Sequence, residues 1–360
     1  MAHESSSTIT ARAITSARLR HHVRFAGDAD AEEVVLLVHG NITSGRCWEP
    51  VMRALAKDEP RRLLVAPDLR GYGASETAPV DATRGLRDFS DDLLELLEAL
   101  GLSARRLHLV GWSLGGNVAM RLLIERPPLW RSVTLIAPGS PFGFGGTRGA
   151  EGQPCHEDFA GSGAGVTNRA FVESLRRGDR ADPSPRAPRG AVRGLLFARS
   201  FRPSEALEDA LVDAMLETAL GEDNYPGELV ASANWPGFAP GARGVNNAMS
   251  AKYLDQTGIV EIDPKPPILW VHGLEDVIVS DRSLAEPGGQ GARGILAGWP
   301  GADVYPPQPM VTQLRGVLRR YAAAGGELRE EGWASCGHSP QLERPEEFLE
   351  LLRELWASAR

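Results

Sequence analysis

The chain has 360 residues, 42 % of them hydrophobic, which suits one large α/β core carrying an insertion. Its net charge of -8, with no dense basic block, argues against a nucleic-acid groove and against a polybasic membrane-binding face. Three widely separated cysteines, Cys47, Cys155 and Cys336, argue against a disulfide framework and against a zinc ribbon.

The N-terminal stretch "MAHESSSTITARAITSARLRHH" has no continuous apolar run of the kind a leader peptide needs, and no window approaches a membrane span. A cytoplasmic protein is expected. Only three of the 39 basic residues are lysines (Lys57, Lys252, Lys265), a bias that points to a GC-rich, bacterial genome. Residues 8–28 read as an antiparallel pair at a sheet edge, with His21 and His22 on its surface rather than in a metal site, since no ligands lie nearby. Apolar runs follow at 34–40 ("VVLLVHG"), 62–68 ("RLLVAPD"), 107–112 ("LHLVGW"), 132–138 ("SVTLIAP") and 267–273 ("PILWVHG"). Each is short and closed by Gly, Pro, Asp or a turn, as parallel strands covered on both faces are. Between them, "DFSDDLLELLEALG" (88–101) spaces Phe89, Leu93, Leu96, Leu97 and Leu100 along one helical face, with acidic residues early and Gly101 as a stop. Alternating strand and helix predicts a mostly parallel sheet flanked by helices. The rhythm breaks from 141 to 263, which is rich in Gly, Pro and Arg, and again from 282 to 309. A helix ("MVTQLRGVLRRYAAAGG"), a strand ("ELREEGW") and a terminal helix ("PEEFLELLRELWA") close the chain. The expected organisation is a core of residues 1–140 and 264–360 with a large inserted cap or lid at 141–263.

The chemistry centres on "GWSLG", residues 111 to 115, at a strand end and a helix start. This is the pattern of a nucleophile elbow, in which a strained turn lifts Ser113 above the sheet. Side chains at positions 111 and 115 would collide with the neighbouring strand and helix, and Gly116 lets the helix sit close. Acyl transfer also needs donors aimed at an oxyanion. The backbone N–H of Leu114 and that of Asn41, in "LVHGN", are the candidates, with Gly40 allowing a close approach. A serine needs a base and an orienting acid, which in this architecture follow it in the order acid, then histidine. Of eight histidines, only His338 ("WASCGHSP") lies in a loop after the last strand; His272, at a strand end, reads as structural. The acid belongs just past the penultimate strand, where "VHGLEDVIVS" offers Asp276, preferred for its place in the turn, with Glu275 as its rival. Asp68 and Arg70, in "PDLRGYGAS", read as an ion pair bracing loops. Aromatics at Trp112, Phe142, Phe144, Tyr225 and Trp235 are candidate substrate-binding residues.

Taken together, "HGN" (39–41), "PDLRGYGAS" (67–75), "GWSLGG" (111–116), "GLEDVIV" (273–279) and "CGHSP" (336–340) resemble the α/β-hydrolase superfamily over nearly all of the chain except the inserted segment. The resemblance implies Ser113 as nucleophile, His338 as base, Asp276 as its orienter, and the Asn41 and Leu114 amides as the oxyanion hole. "HGNITS" is similar to the matching loop of haloalkane dehalogenases, but those enzymes and the epoxide hydrolases use an aspartate where this chain has Ser113. "GWSLGG" is more similar to carboxylesterases, lactonases, cofactor-free haloperoxidases and carbon–carbon bond hydrolases. The expectation is a serine hydrolase that cleaves an apolar carboxylic ester or lactone through an acyl-enzyme, with no cofactor, metal, nucleic acid or membrane partner. The alternatives are a carbon–carbon bond hydrolase acting on a β-diketone-like substrate, an amidase on the same triad, and a non-catalytic ligand receptor of this fold.

Overall fold

In a computed structural model, residues 8–59 and 61–359 are described. The first seven residues, with His3 and the start of the polar N-terminal stretch, lie outside them. The central sheet has eight strands: β1 (Thr10–Thr15), β2 (Arg20–Gly27), β3 (Glu33–Val38), β4 (Arg62–Pro67), β5 (Arg106–Trp112), β6 (Trp130–Ile136), β7 (Ile268–Gly273) and β8 (Leu328–Trp333). Their spatial order is β1-β2-β4-β3-β5-β6-β7-β8. β1 pairs antiparallel with β2, and β2 with β4; the remaining neighbours run parallel. The antiparallel edge and the parallel centre both match the sequence reading.

The helices are α1 (Glu49–Asp58), α2 (Arg87–Ala99), α3 (Leu114–Glu125), α4 (Arg169–Arg177), α5 (Glu205–Leu216), α6 (Met310–Ala323) and α7 (Pro345–Ser358), besides shorter turns. Successive side chains of a strand face opposite ways. In β3, Val34, Leu36 and Val38 therefore enter one apolar cluster, with Leu93 of α2, Val118 of α3 and Val317 of α6. Val35 and Leu37 enter the other, with Met52 of α1 and Leu352 of α7. Burial on both faces is why the strand sequence shows no polar alternation.

The residues between β6 and β7 share these two clusters. Phe171 of α4 and Met215 of α5 join the α1/α7 side. Val245, Met249 and Ile259 join the α2/α3 side. A π-helical turn occupies Val192–Leu196. Among the described residues, no helix is long and apolar enough to cross a membrane.

Two expectations about polar residues are corrected. Asp68 and Arg70 do not pair. Asp68 accepts from Arg24 Nη1 at 2.8 Å and bonds His22 Nδ1 at 2.9 Å, whereas Arg70 forks onto Asp92 at 2.6 and 2.7 Å. Side chains two apart on this loop point to different neighbours, one toward β2 and one toward α2. His21 is not edge surface either: β1 takes the edge and His21 is buried, whereas His22 stays partly exposed beside Asp68 of the loop after β4.

Candidate active site

Ser113 sits between the end of β5 and the start of α3 with φ 55° and ψ -123°, a region that side-chain-bearing residues avoid. The surrounding glycines explain how the turn fits. A Cβ at Gly111 would lie 2.2 Å from the Gly115 carbonyl oxygen, and one at Gly115 would lie 2.2 Å from the Val38 carbonyl oxygen. One at Gly116 would lie 2.7 Å from Pro138 Cβ. The turn is thus packed backbone on backbone against the end of β3.

The loop after β3 meets the elbow directly. A Cβ at Gly40 would lie 3.1 Å from that of Ser113. His39 is fully buried. Its Nδ1 donates to the Gly40 carbonyl at 2.8 Å, and its Nε2 accepts the Leu69 N–H at 2.9 Å. Burial pulls its pKa down to about 4, so it stays neutral and braces the loop after β3 against the loop after β4. Asn41 follows. Its side-chain oxygen accepts from Tyr72 Oη at 2.6 Å and from the Ile42 N–H at 2.9 Å. Among the described residues, neither the Asn41 nor the Leu114 N–H finds a backbone acceptor.

Asp276 lies three residues beyond β7. Its Oδ1 accepts the N–H groups of Ile278 and Val279 at 2.7 and 3.0 Å, and its Oδ2 bonds His338 Nδ1 at 2.7 Å. Both side chains are buried. A carboxylate on Nδ1 makes that nitrogen the donor and leaves Nε2 as the acceptor. Glu275 is exposed, and Asp281 is taken up by the backbone and hydroxyl of Thr312. The loop carrying His338 is clamped twice. Trp112 Nε1 donates to the His338 carbonyl at 2.8 Å. The Glu343 carboxylate accepts the Gly337 N–H at 2.8 Å and, from the inserted segment, the Ala198 N–H at 2.9 Å.

Ser113, His338, Gly40 and Asn41 line one cavity of about 320 Å³. Its remaining wall is mostly apolar: Phe171, Leu195, Leu196, Met215, Ile278 and Leu284 all contribute. Of the aromatic candidates, Trp112, Phe144 and Tyr225 line it, and Phe142 and Trp235 do not. Phe142 packs beside Gly152 and against the α2/α3 cluster. Trp235 donates its indole N–H to the Ala297 carbonyl at 2.9 Å and meets Tyr305 edge-on at 4.8 Å. An aromatic near a glycine turn says nothing about which side of the chain faces inward. Thr167, Phe171, Met215, Asn246 and Gln290 also line the cavity and are not among the sequence candidates: Thr167, Asn246 and Gln290 sit in segments with no motif, and the helical period of α4 and α5 buries Phe171 and Met215 without telling which of their buried residues face a cavity. Among the described residues, no group of three or more His, Cys, Asp or Glu side chains could hold a metal ion.

Comparison with known proteins adds the following. Residues 35–351 match the model of the alpha/beta hydrolase family. A stretch of 128 residues is 33% identical to the 2-hydroxymuconate semialdehyde hydrolase of Pseudomonas sp. (strain CF600), covering 35% of this chain and 42% of that one. A stretch of 154 residues is 28% identical to the uncharacterized carboxylesterase nap of Bacillus subtilis (strain 168), covering 43% of this chain and 46% of that one. The chain thus spans less than half the length of these curated relatives. Among solved structures, an esterase of Exiguobacterium antarcticum superposes with a TM-score of 0.58 at 16% identity, over 96% of this chain and 98% of that one. At that identity the likeness speaks for the fold alone.

Proposed function

The chain belongs to the alpha/beta hydrolase family, and on that footing we propose that it is a serine hydrolase cleaving a carboxylic ester or lactone through an acyl-enzyme. The observation that carries this reading is the buried 2.7 Å bond between Asp276 and His338 Nδ1, at a cavity that Ser113 also lines.

In the proposed reaction, His338 Nε2 takes the proton of the Ser113 hydroxyl as its oxygen attacks the substrate carbonyl carbon. The carbonyl π electrons move to the oxygen. The Asn41 and Leu114 N–H groups hold that oxyanion, an interaction worth about 3 kcal/mol per donor in comparable sites. The intermediate collapses, the C–O bond to the alcohol breaks, and His338 returns its proton to the departing oxygen. Water then attacks the acyl-enzyme with His338 again as base. Asp276 holds the tautomer and stabilises the imidazolium without itself taking the proton. The segment 141–263 acts as a cap whose apolar side chains shed water from the substrate.

A fluorophosphonate probe and a panel of esters and lactones of graded acyl size test the proposal. Labelling and turnover by the wild type, both abolished in Ser113→Ala, support it. Labelling without turnover of any ester or lactone would point to a receptor. Turnover restricted to β-diketones or amides would keep the triad and replace the substrate class.

A further inference from the structure

We propose that the cavity selects an uncharged ester bearing a second oxygen acceptor, such as a keto or ether group, held by Asn246 and Thr167. This deepens the ester-hydrolase reading and rests on it.

The starting point is a run of polar side chains along one wall of an otherwise apolar cavity. Tyr72 donates to Asn41 Oδ1 at 2.6 Å, Asn41 Nδ2 donates to Asn246 Oδ1 at 2.9 Å, and Asn246 Nδ2 donates to Thr167 Oγ1 at 2.7 Å. The hydroxyls of Thr167 and Tyr225 lie 3.3 Å apart. Asn41, Asn246, Thr167 and Tyr225 all line the cavity. An amide nitrogen carries two hydrogens and a hydroxyl one. The run therefore leaves two donors with no partner among the described residues. One is the second N–H of Asn246. The other is a hydroxyl hydrogen of the Thr167–Tyr225 pair, since only one of the two can donate within it. Asn246 and Tyr225 are only 7 % and 5 % exposed, so these donors are nearly withdrawn from water. An unmet donor in such a place costs about 1–3 kcal/mol, and a substrate oxygen would relieve it.

The scissile carbonyl is not that oxygen. It is assigned to the backbone amides of Asn41 and Leu114, whereas Asn246, Thr167 and Tyr225 belong to the inserted segment. The second oxygen is uncharged because no Lys, Arg, Asp or Glu lines the cavity among the described residues. A carboxylate there would lose its hydration without gaining a cation. The other amide side chains of the wall are open to water: Asn168, which caps α4 through the Ala170 N–H, is exposed, and Gln290, which holds the Leu284 carbonyl with one N–H, is half-buried, so their remaining donors can be hydrated where that of Asn246 is not.

The test uses methyl heptanoate, the same ester with an oxo group moved from carbon 3 to carbon 6, and a singly charged dicarboxylate monoester of equal length. For at least one oxo position, kcat/KM should exceed that of the plain ester about tenfold, the effect of one hydrogen bond of about 1.4 kcal/mol. In Asn246→Ala, and in the near-isosteric Thr167→Val, that ratio should fall toward one. The charged ester should be the poorest of the series. The proposal is overturned if no oxo position is favoured, if the ratio survives both substitutions, or if the charged ester is preferred. Calorimetric binding of the same esters to Ser113→Ala separates the two levels. If the wild type turns over none of them, the ester-hydrolase reading fails. Tenfold tighter binding of an oxo ester would still uphold the neutral-acceptor site, and equal binding would end it.

Discussion

Ser113 and Thr167 line the same cavity but are held there by different means. Ser113 stands on a turn packed chiefly against backbone: Gly111 against the Gly115 carbonyl, and Gly115 against the end of β3. Thr167 is held by side chains, through Asn246 and Tyr225, within a segment whose strands are only two or three residues long. The first arrangement tolerates no extra atom. The second can change one hydrogen-bond partner at a time. On the proposed function, that difference would set fixed chemistry at the strand ends against adjustable recognition between β6 and β7.

The comparison breaks most decisively at the strand ends. Ser113→Ala and His338→Ala should each lower kcat by about 10⁵-fold, and the double variant by no more than either alone, because the groups act as a unit. Steady-state kinetics on the best ester of the panel checks this, and near-additive losses would refute the unit. Asp276→Asn should cost about 10⁴-fold through the wrong imidazole tautomer, while Glu275→Gln changes the rate less than about twofold. Equal losses at the two positions would reassign the acid.

Stability should sharpen the same contrast. Gly115→Ala forces a Cβ onto the Val38 carbonyl and should cost about 3 kcal/mol in urea unfolding. Gly194→Ala, in the π-helical turn where a Cβ meets nothing within 4 Å, should change stability by less than about 1 kcal/mol. His39 adds a pH signature to the strand-end side. Its folded pKa, pulled down to about 4 by burial, lies below the ordinary imidazole value of 6.5, so the unfolded chain binds its proton first. The stability gained from neutral His39 is present above about pH 6.5 and is lost as pH falls toward about 4, by about 3 kcal/mol in all. The stability gap between wild type and His39→Gln should narrow over that window, and a constant gap would mean that His39 titrates normally. In the stretch between β6 and β7 the expected effect is on selectivity alone. Leu196→Ala should raise the ratio of kcat/KM for a bulky acyl ester over an acetyl ester by about tenfold, measured by competition.

The sequence was readable where burial leaves a pattern. Double-faced burial made β3, β4, β5, β6 and β7 appear as uninterrupted apolar runs, and the crowding around Ser113 appeared as glycines at 111, 115 and 116. The position of Asp276, three residues past a glycine-ended strand, was legible because the turn geometry is local. Side-chain partners across the sheet were not. Asp68 and Arg70 are close in sequence and opposite in charge, yet their mates, Arg24 and Asp92, come from β2 and α2. Nor could the cavity wall be read. Phe144 faces in and Phe142 does not, and only the path of the chain through several glycine turns decides which. Thr167 and Asn246 carry no spacing signal, because they meet through the fold and not along an element.

The carboxylate of Glu343, which grips both the residue before His338 and the inserted segment at Ala198, has a bearing on how such a protein could change. Its position ties the loop that carries His338 to the stretch between β6 and β7 at Ala198. Remodelling near Ala198 would tug on the loop that carries His338, the proposed general base, and loosening that loop would shift the chain at Ala198. Variation in selectivity should therefore accumulate away from that junction, around Thr167, Met215 and Asn246, where a wall can be redrawn without disturbing the proton's path.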